Sequence, residues 1–250
     1  MKTSSLRPQF AFTLVELLTV IAIIAVLMGL LFPALQGARD NARRADAGTM
    51  VRNIVNASKA YYNDYGKYPP NTKALKEEGS AGGAGGGATD NTVRGSHYAY
   101  GDVEVGADKV TVNTNELFDV LRAIAQGPHN ENHRSNPRQQ KYFEGKKATD
   151  IAVRKTRGGF ADGQEFAERR GRLYDPWGTE YFIVLDADGN EEINISAFWL
   201  DLTDDSATIR FSAGAFCVGK DAVFGAKGYL GNFRKSATSN EAPDDIVSWQ

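Results

Sequence analysis

The chain has few of the residues that build crosslinked or metal-bound domains. It contains one cysteine, Cys217, and three histidines among 250 residues. A single cysteine excludes an internal disulfide framework and a zinc site built from cysteines. An excess of one charge is also lacking, because 29 basic residues oppose 31 acidic residues for a formal net charge of −2. This balance excludes a broad cationic surface for nucleic acid, although not a local basic patch, and nucleic acid is not an expected partner.

A long apolar run is present near the N-terminus, at residues 12–32. Its sequence, FTLVELLTVIAIIAVLMGLLF, contains a single charged residue, Glu16. A helix of this length covers roughly 31 Å, which is enough to cross the hydrocarbon core of a bilayer. The run is longer than the apolar core of a secretory signal peptide, and no small-x-small cleavage site follows it. We therefore predict a single-pass membrane protein with its domain on one side.

Glu16 is unusual in such a segment. An ionisable group costs about 2.5–3.5 kcal/mol at mid-bilayer and less near an interface. Either Glu16 lies shallow enough to stay hydrated, or it pairs with a cation from another chain. Cleavage after the small residue Ala11 would leave the anchor on the mature protein, and the new amino terminus would be such a cation at membrane depth.

The segment AFTLVELL, from Ala11 to Leu18, resembles the processing motif of type IV prepilins and type II secretion pseudopilins. The resemblance implies that a prepilin peptidase removes residues 1–11 as a leader peptide and methylates the new amine of Phe12. It also implies that Glu16 pairs with the amine of a neighbouring subunit during assembly. The family nearly always has glycine at the position of Ala11, and alanine is the mildest substitute.

The residues beyond Pro33 return to helical spacing. Proline kinks or stops a helix, but the pattern continues as far as Tyr65, and Gly66 then supplies a stop. We therefore predict one helix over 12–65, kinked at Pro33, whose first half at 12–32 spans the membrane. The pilin family has a proline at this point. The residues predicted to share one face of the second half are Leu35, Ala38, Ala42, Val51, Ile54, Ser58, Tyr61 or Tyr62, and Tyr65.

Residues 66–250 predict a small exported domain of the α+β class, with an antiparallel sheet packed against the long helix. A short helix is expected over Asn115–Gln126 and a strand over Tyr98–Val105. Further strands at Tyr181–Leu185, Ile193–Leu200 and Ala207–Val218 suggest a three-stranded meander. The middle, about 71–170, has no family counterpart that we can align, and we predict that it is an insertion.

Two other segments invite a ligand-binding interpretation. The tyrosines between Ala60 and Pro70 could form a binding platform, but packing of the helix exit onto the domain with hydrated hydroxyls is favoured. The segment Asp186–Asn190 has the oxygen-rich composition of half a calcium loop. An EF-hand loop requires flanking helices, whereas strands are expected here, so a hairpin turn is favoured.

The segment Asp175, Pro176, Trp177 and Gly178, followed by Tyr181, resembles a segment of the major pseudopilin of type II secretion. That subfamily ends with a loop that binds a structural calcium ion. The counterpart here starts at Cys217 and ends at Trp249. The resemblance implies calcium ligation by the carboxylates of Asp221 and Asp245 and by the carbonyl of Val218. However, Cys217 replaces a hydroxyl ligand, and a thiol is a poor partner for a hard cation. A metal-free docked loop is the alternative.

Taken together, the resemblances imply a structural filament subunit that is not an enzyme. No arrangement of nucleophile, base and orienting residue stands out in the sequence. The favoured interpretation is a type II secretion pseudopilin in the inner membrane, with its domain in the periplasm. Its expected partners are further copies in a helical filament, prepilin peptidase, other pseudopilins and the inner-membrane assembly platform. The alternatives are a type IV pilin for adhesion, motility or DNA uptake, and a membrane-anchored periplasmic binding module. Calcium is the one cofactor considered.

Overall fold

The fold was analysed in a computed structural model of the chain. The structure describes residues 14–70, 74–75, 97–105, 108–148, 157–163, 169–187, 189–194, 208–220 and 246–248. The chain forms two compact units, Met1–Arg43 and Arg44–Gln250. The helices are α1 (Leu14–Tyr65), α2 (Asn115–Leu121), α3 (Gly127–Asn130) and a 3₁₀ turn (Glu131–His133). The strands are β1 (Ala74–Leu75), β2 (His97–Val105), β3 (Asp108–Val112), β4 (Gly159–Phe160), β5 (Leu173–Tyr174), β6 (Phe182–Asp186), β7 (Ile193–Asn194), β8 (Thr208–Ile209), β9 (Ala213–Cys217) and β10 (Ile246–Val247).

Helix α1 continues without interruption through position 33 and ends at Tyr65. The end is fixed by Gly66, which has a φ of +66° and donates its backbone N–H to the carbonyl of Tyr62 at 2.7 Å. A left-handed glycine directly after the last turn satisfies a helix carbonyl that would otherwise lack a donor. The predicted helix, with its continuation beyond Pro33 and its stop at Gly66, is confirmed.

The second half of α1 presents one buried face to the domain. Positions Ala47, Val51, Ile54, Ser58 and Tyr61 recur at steps of three or four residues, and all five are fully buried. Such spacing places side chains on one side of a helix, and each large apolar one contributes about 1.5–3 kcal/mol on burial. The predicted face is therefore correct from Val51 to Tyr61, and Ala47 belongs to it as well. Before it, Leu35, Ala38 and Ala42 are exposed.

The main sheet is antiparallel, with the strand order β1-β2-β6-β9-β10 and with β3 paired to the far half of β2. This arrangement confirms the α+β class but corrects the predicted meander. The strand at Ile193 does not lie in the main sheet: β7 pairs with β8 in a separate two-stranded ladder. Beside β6 lies β2 instead, from the segment predicted to be an insertion. The middle of the chain thus contributes a strand to the main sheet, and the insertion at about 71–170 stays a prediction.

Gly101 marks the point at which β2 changes partner. Residues 97–100 pair with β6, whereas residues 101–105 pair with β3. Gly101 has a φ of +109°, and a Cβ there would lie 2.9 Å from the ring of Phe182 and 3.1 Å from the carbonyl of Tyr181. Only glycine fits such a conformation and such a close approach. The change of partner lets one strand serve two parts of the sheet.

The core lies between α1, the main sheet and α2. Helix α2 is shorter than predicted, since it ends at Leu121, and residues 117–121 are all buried. Phe118 packs against the rings of Phe143 and Phe160, with centroid distances of 5.0 Å to each. These aromatic contacts attach the middle of the chain to the same core that α1 and the sheet enclose.

The tyrosines at the exit of α1 pack onto the domain, as predicted, but their hydroxyls are not simply hydrated. Tyr61 is fully buried and donates its hydroxyl to the carbonyl of Ser135 at 2.6 Å. Tyr65 donates to Oδ1 of Asn136 at 2.9 Å, and Tyr142 donates to Asp64 at 2.5 Å. A buried hydroxyl needs such a partner. Ser135, Asn136 and Tyr142 all lie in the segment after α3, which sequence patterns do not place next to α1.

Candidate functional site

From Leu14 to Phe32, α1 is apolar on every side, and its side chains are exposed among the described residues. Its most apolar window has a mean hydropathy of 2.8, and none of that window is buried. The large apolar side chains between Leu14 and Phe32 are 44–85% exposed. Within the described residues, this is the one helix long and apolar enough to cross a membrane. An exposed apolar surface of this size needs a covering partner, either lipid or other protein chains.

Glu16 lies in the first turn of α1 and is exposed. Its backbone carbonyl accepts a hydrogen bond from the hydroxyl of Thr19 at 2.9 Å. A carboxylate in the first turn is favoured by the helix dipole. The predicted processing residues, Ala11 and Phe12, lie outside the described residues. Pro33 lies within α1, and its predicted role in bending the helix stays a prediction.

Residues 175–178 form a turn, here named the Asp175 turn, which is held together by hydrogen bonds to the side chain of Asp175. Oδ1 of Asp175 accepts three backbone hydrogen bonds, from Trp177 at 2.9 Å, Gly178 at 2.7 Å and Thr179 at 2.9 Å. The backbone of Asp175 is also engaged, because its carbonyl accepts from Gly158 at 2.7 Å. Pro176 is buried, and Gly178 has a φ of +104°, which favours glycine. One carboxylate oxygen therefore organises the whole turn.

The second oxygen of the same carboxylate, Oδ2, is buried without a hydrogen bond among the described residues. Asp175 as a whole is fully buried. Burial raises the pKa of Asp175 to about 6, although the three backbone donors and Arg157 partly counter this shift. The turn combines a strong set of hydrogen bonds with an incompletely compensated charge.

The predicted calcium ligands are only partly within the described residues. Val218 is buried directly after β9, whereas Asp221 and Asp245 lie outside the described residues. Cys217 is buried in the core. In the part of the chain that the structure describes, no group of three or more His, Cys, Asp or Glu side chains is arranged to hold a metal. The calcium site stays a prediction.

The segment Asp186–Asn190 forms a turn held by its first carboxylate, but the turn does not join two paired strands. Oδ1 of Asp186 accepts the N–H of Gly189 at 2.9 Å, and Oδ2 accepts that of Glu191 at 2.8 Å. The strand before it pairs within the main sheet, and the strand after it pairs with β8. The hairpin prediction is therefore wrong in its strand pairing.

Sequence patterns gave no sign of a buried polar network near α2. Oε1 of Glu180 accepts both the backbone N–H and the hydroxyl of Thr114, at 2.9 and 2.5 Å, and Oε2 lies 3.7 Å from Arg172. A fully partnered carboxylate of this kind positions the start of α2 against the sheet. A second buried acid, Asp119, lies on α2 itself and lines a cavity.

The comparisons with known proteins bear on the N-terminus. The family model of the prokaryotic N-terminal methylation motif matches residues 6–32. No curated protein and no solved structure matches the chain. The matched range contains Ala11, Phe12 and Glu16 and coincides with the apolar segment. The chain carries the prokaryotic N-terminal methylation motif, which fits type IV pilin-like proteins and supports a filament subunit of that kind.

Proposed function

We propose that the protein is a pseudopilin of a type II secretion system, anchored in the inner membrane before assembly and with its domain in the periplasm. The observation that carries the proposal is the apolar half of α1, which lies within the matched motif and buries none of its side chains. Full burial of one such side chain is favourable by about 1.5–3 kcal/mol. Lipid supplies this environment in the precursor, and the same helices of neighbouring copies supply it in the filament.

Processing after Ala11 would create a cationic group with which Glu16 of a neighbouring copy can pair. The new amine of Phe12 would be a cation close in sequence to Glu16, and both groups would enter an apolar filament core. A pair between Glu16 of one copy and the amine of its neighbour would set the axial position of each added subunit. Pro33 removes one backbone donor from α1, which would allow the helix to bend as it leaves the membrane.

Three features favour a secretion pseudopilin over a type IV pilin. The Asp175 turn is a folded feature that resembles the major pseudopilin segment. Many type IV pilins carry a C-terminal disulfide loop, which the single Cys217 cannot form within one chain. In addition, β10 begins at Ile246, directly after Asp245, and pairs with Cys217, directly before Val218. The pairing brings the two ends of the segment between β9 and β10 together, which supports a calcium loop that uses Val218, Asp221 and Asp245.

A gene deletion in the source organism tests the proposal. We expect loss of the protein to leave exported enzymes in the periplasm and to lower their amount in the culture medium at least tenfold. Surface adhesion and motility should be unchanged. The wild-type chain should restore secretion. As a control for expression, the restored strain should hold the chain in its membrane fraction at the original level.

Two results would contradict the pseudopilin proposal. Loss of adhesion or motility with normal secretion would identify a type IV pilin instead. Normal secretion, adhesion and motility together would leave a membrane-anchored binding module as the better account.

A further inference from the structure

A cavity of about 540 Å³ lies beside α2 and has both acidic and basic walls. Its lining includes Asn115, Asp119, Gln126, Glu131, Arg170 and Arg172. A volume of several hundred Å³ is typical of small-molecule sites. The formal charges of the two acids and two arginines cancel, so the cavity is suited to a ligand that itself carries both charges.

Asp119 is the buried acid of the cavity lining. It is 5% exposed, and no described residue donates a hydrogen bond to its carboxylate or forms an ion pair with it. The carboxylate lies against two glycines of positive φ. A Cβ at Gly127 would lie 2.7 Å from Oδ2, and one at Gly171 would lie 3.4 Å from Oδ1. The glycines thus make room for the carboxylate but do not neutralise it. The charges of Arg170 and Arg122 act on it without a direct hydrogen bond, and a buried charge that is compensated only in this way is costly.

A second acceptor without a partner lies one helical turn before Asp119. Oδ1 of Asn115 is buried and has no hydrogen-bond partner among the described residues. Residues four apart on a helix are neighbours on one face, so the two acceptors face the same ligand group. An ammonium group has three donors and one positive charge, which matches a carboxylate together with an amide oxygen.

The two arginines that line the cavity differ in their ion pairs with other residues. Arg172 lies 3.7 Å from Glu180, with which it forms an ion pair. Arg170 is exposed and forms no ion pair or hydrogen bond with any residue that the structure describes. Nearby Arg122 is held by Asp162 through two hydrogen bonds of 3.0 and 2.5 Å, and it is therefore committed elsewhere. The charge of Arg170 acts on Asp119 without a hydrogen bond between the two side chains, so its guanidinium N–H groups can bind a carboxylate.

We propose that this cavity binds a free α-amino acid. The ammonium group of the ligand would donate to Asp119 and to Oδ1 of Asn115, and its carboxylate would pair with Arg170. A bare divalent cation suits the site less well, because two arginines line the same cavity. The proposal is independent of filament assembly, since none of these residues lies in α1.

The protonation of Asp119 gives the site a pH dependence. Burial raises the pKa of Asp119 to about 6; the charges of Arg170 and Arg122 lower it, and that of Asp162 raises it. The ammonium group binds the ionised carboxylate, so affinity should fall as the pH drops below 6. The same burial cost predicts that Asp119→Asn raises the melting temperature of the unliganded protein at pH 7, because the charge is removed and the shape is kept.

The test uses the full-length chain in detergent micelles, with calorimetric titration and melting temperature as readouts. The probes are L-alanine and L-lysine. Propionate, which lacks the ammonium group, and L-alaninamide, which lacks the carboxylate, are the matched analogues. We expect at least one amino acid to bind and each analogue to bind at least tenfold more weakly than L-alanine or not at all. Asp119→Asn and Arg170→Gln should each weaken binding at least tenfold. Glu144→Gln and Arg52→Gln, which alter exposed residues outside the cavity, should leave it unchanged.

Failure of both L-alanine and L-lysine to bind at millimolar concentration would overturn the proposal. So would an Asp119→Asn variant that is folded, by its melting transition, and binds like the wild type. Equal affinity for L-alanine and L-alaninamide would also overturn it, because the carboxylate contact with Arg170 would then be absent.

Discussion

Replacing Glu16 by alanine is expected to leave a stable protein in the membrane and to abolish the filament. Insertion should not suffer, because the substitution removes a group that costs up to about 2.5–3.5 kcal/mol in a bilayer. Assembly should fail, because the amine of the neighbouring subunit would enter the apolar core without a partner. Breaking a buried pair in this way costs about 3–5 kcal/mol, which corresponds to a hundredfold or greater loss of association. Immunoblots of sheared filaments and of membranes would measure both quantities.

Thr19→Ala is the matched control for this experiment. Thr19 lies less than one turn from Glu16 on the same exposed segment, and its hydroxyl bonds only to a helix carbonyl among the described residues. The control should form filaments at the wild-type level. A Glu16→Ala strain with normal filaments would show that the charge pair does not drive assembly.

The substitution Asp175→Ala is expected to lower the free energy of unfolding of the domain by about 2–4 kcal/mol. It removes the oxygen that accepts from the backbone N–H groups of Trp177, Gly178 and Thr179, and each hydrogen bond to a charged group is worth about 1.5–3 kcal/mol. Removal of the buried charge offsets about 2–3 kcal/mol of this loss at pH 7, which leaves the smaller net effect. Asp175→Asn keeps this acceptor and removes the charge. It should therefore be as stable as the wild type or more stable at pH 7. Denaturant titration in micelles, followed by circular dichroism, would measure the three free energies of unfolding.

The difference between Asp175→Asn and the wild type should depend on pH. The folded-state pKa of Asp175 is raised to about 6, so the native state holds this proton more tightly than the unfolded chain does. The cost of ionising Asp175 is then absent below about pH 4 and complete above about pH 6. The stability advantage of the asparagine variant should grow between these pH values, by up to about 2–3 kcal/mol. An advantage that is constant with pH would contradict a buried, ionising Asp175.

The parts of the fold that were predicted correctly depend on local patterns. The buried face from Ala47 to Tyr61 follows helical spacing, and the stop at Gly66 follows from the tolerance of glycine for positive φ. The strands at Tyr98 and Tyr181 were recognisable from their apolar composition. Their partners were not, because strand pairing depends on contacts between distant residues and is decided by the whole core. This is why β2 lies beside β6, where the sequence suggested the strand at Ile193.

The candidate sites also differ in whether their residues are close together in the sequence. The N-terminal motif is contiguous in sequence, so Ala11, Phe12 and Glu16 could be recognised without a structure. The cavity at Asp119 joins α2 to the segment around Arg170, some fifty residues later. Its one local signal is an acid within a run of buried residues, since Asp119 stands between Phe118 and Val120. Neither the missing partner of its carboxylate nor the approach of Gly127 and Gly171 is visible in a linear pattern.

The central claim, that the chain is processed and assembled as a pilin-like subunit, is tested most directly by the N-terminus of the protein in native membranes. Intact mass and N-terminal sequencing should find a chain that begins at Phe12 and carries a methyl group on its amine. That result would mean that Ala11 is accepted at the cleavage position and that the partner proposed for Glu16 exists. A chain that begins at Met1 would contradict the account, because Glu16 would then have no neighbouring amine with which to pair.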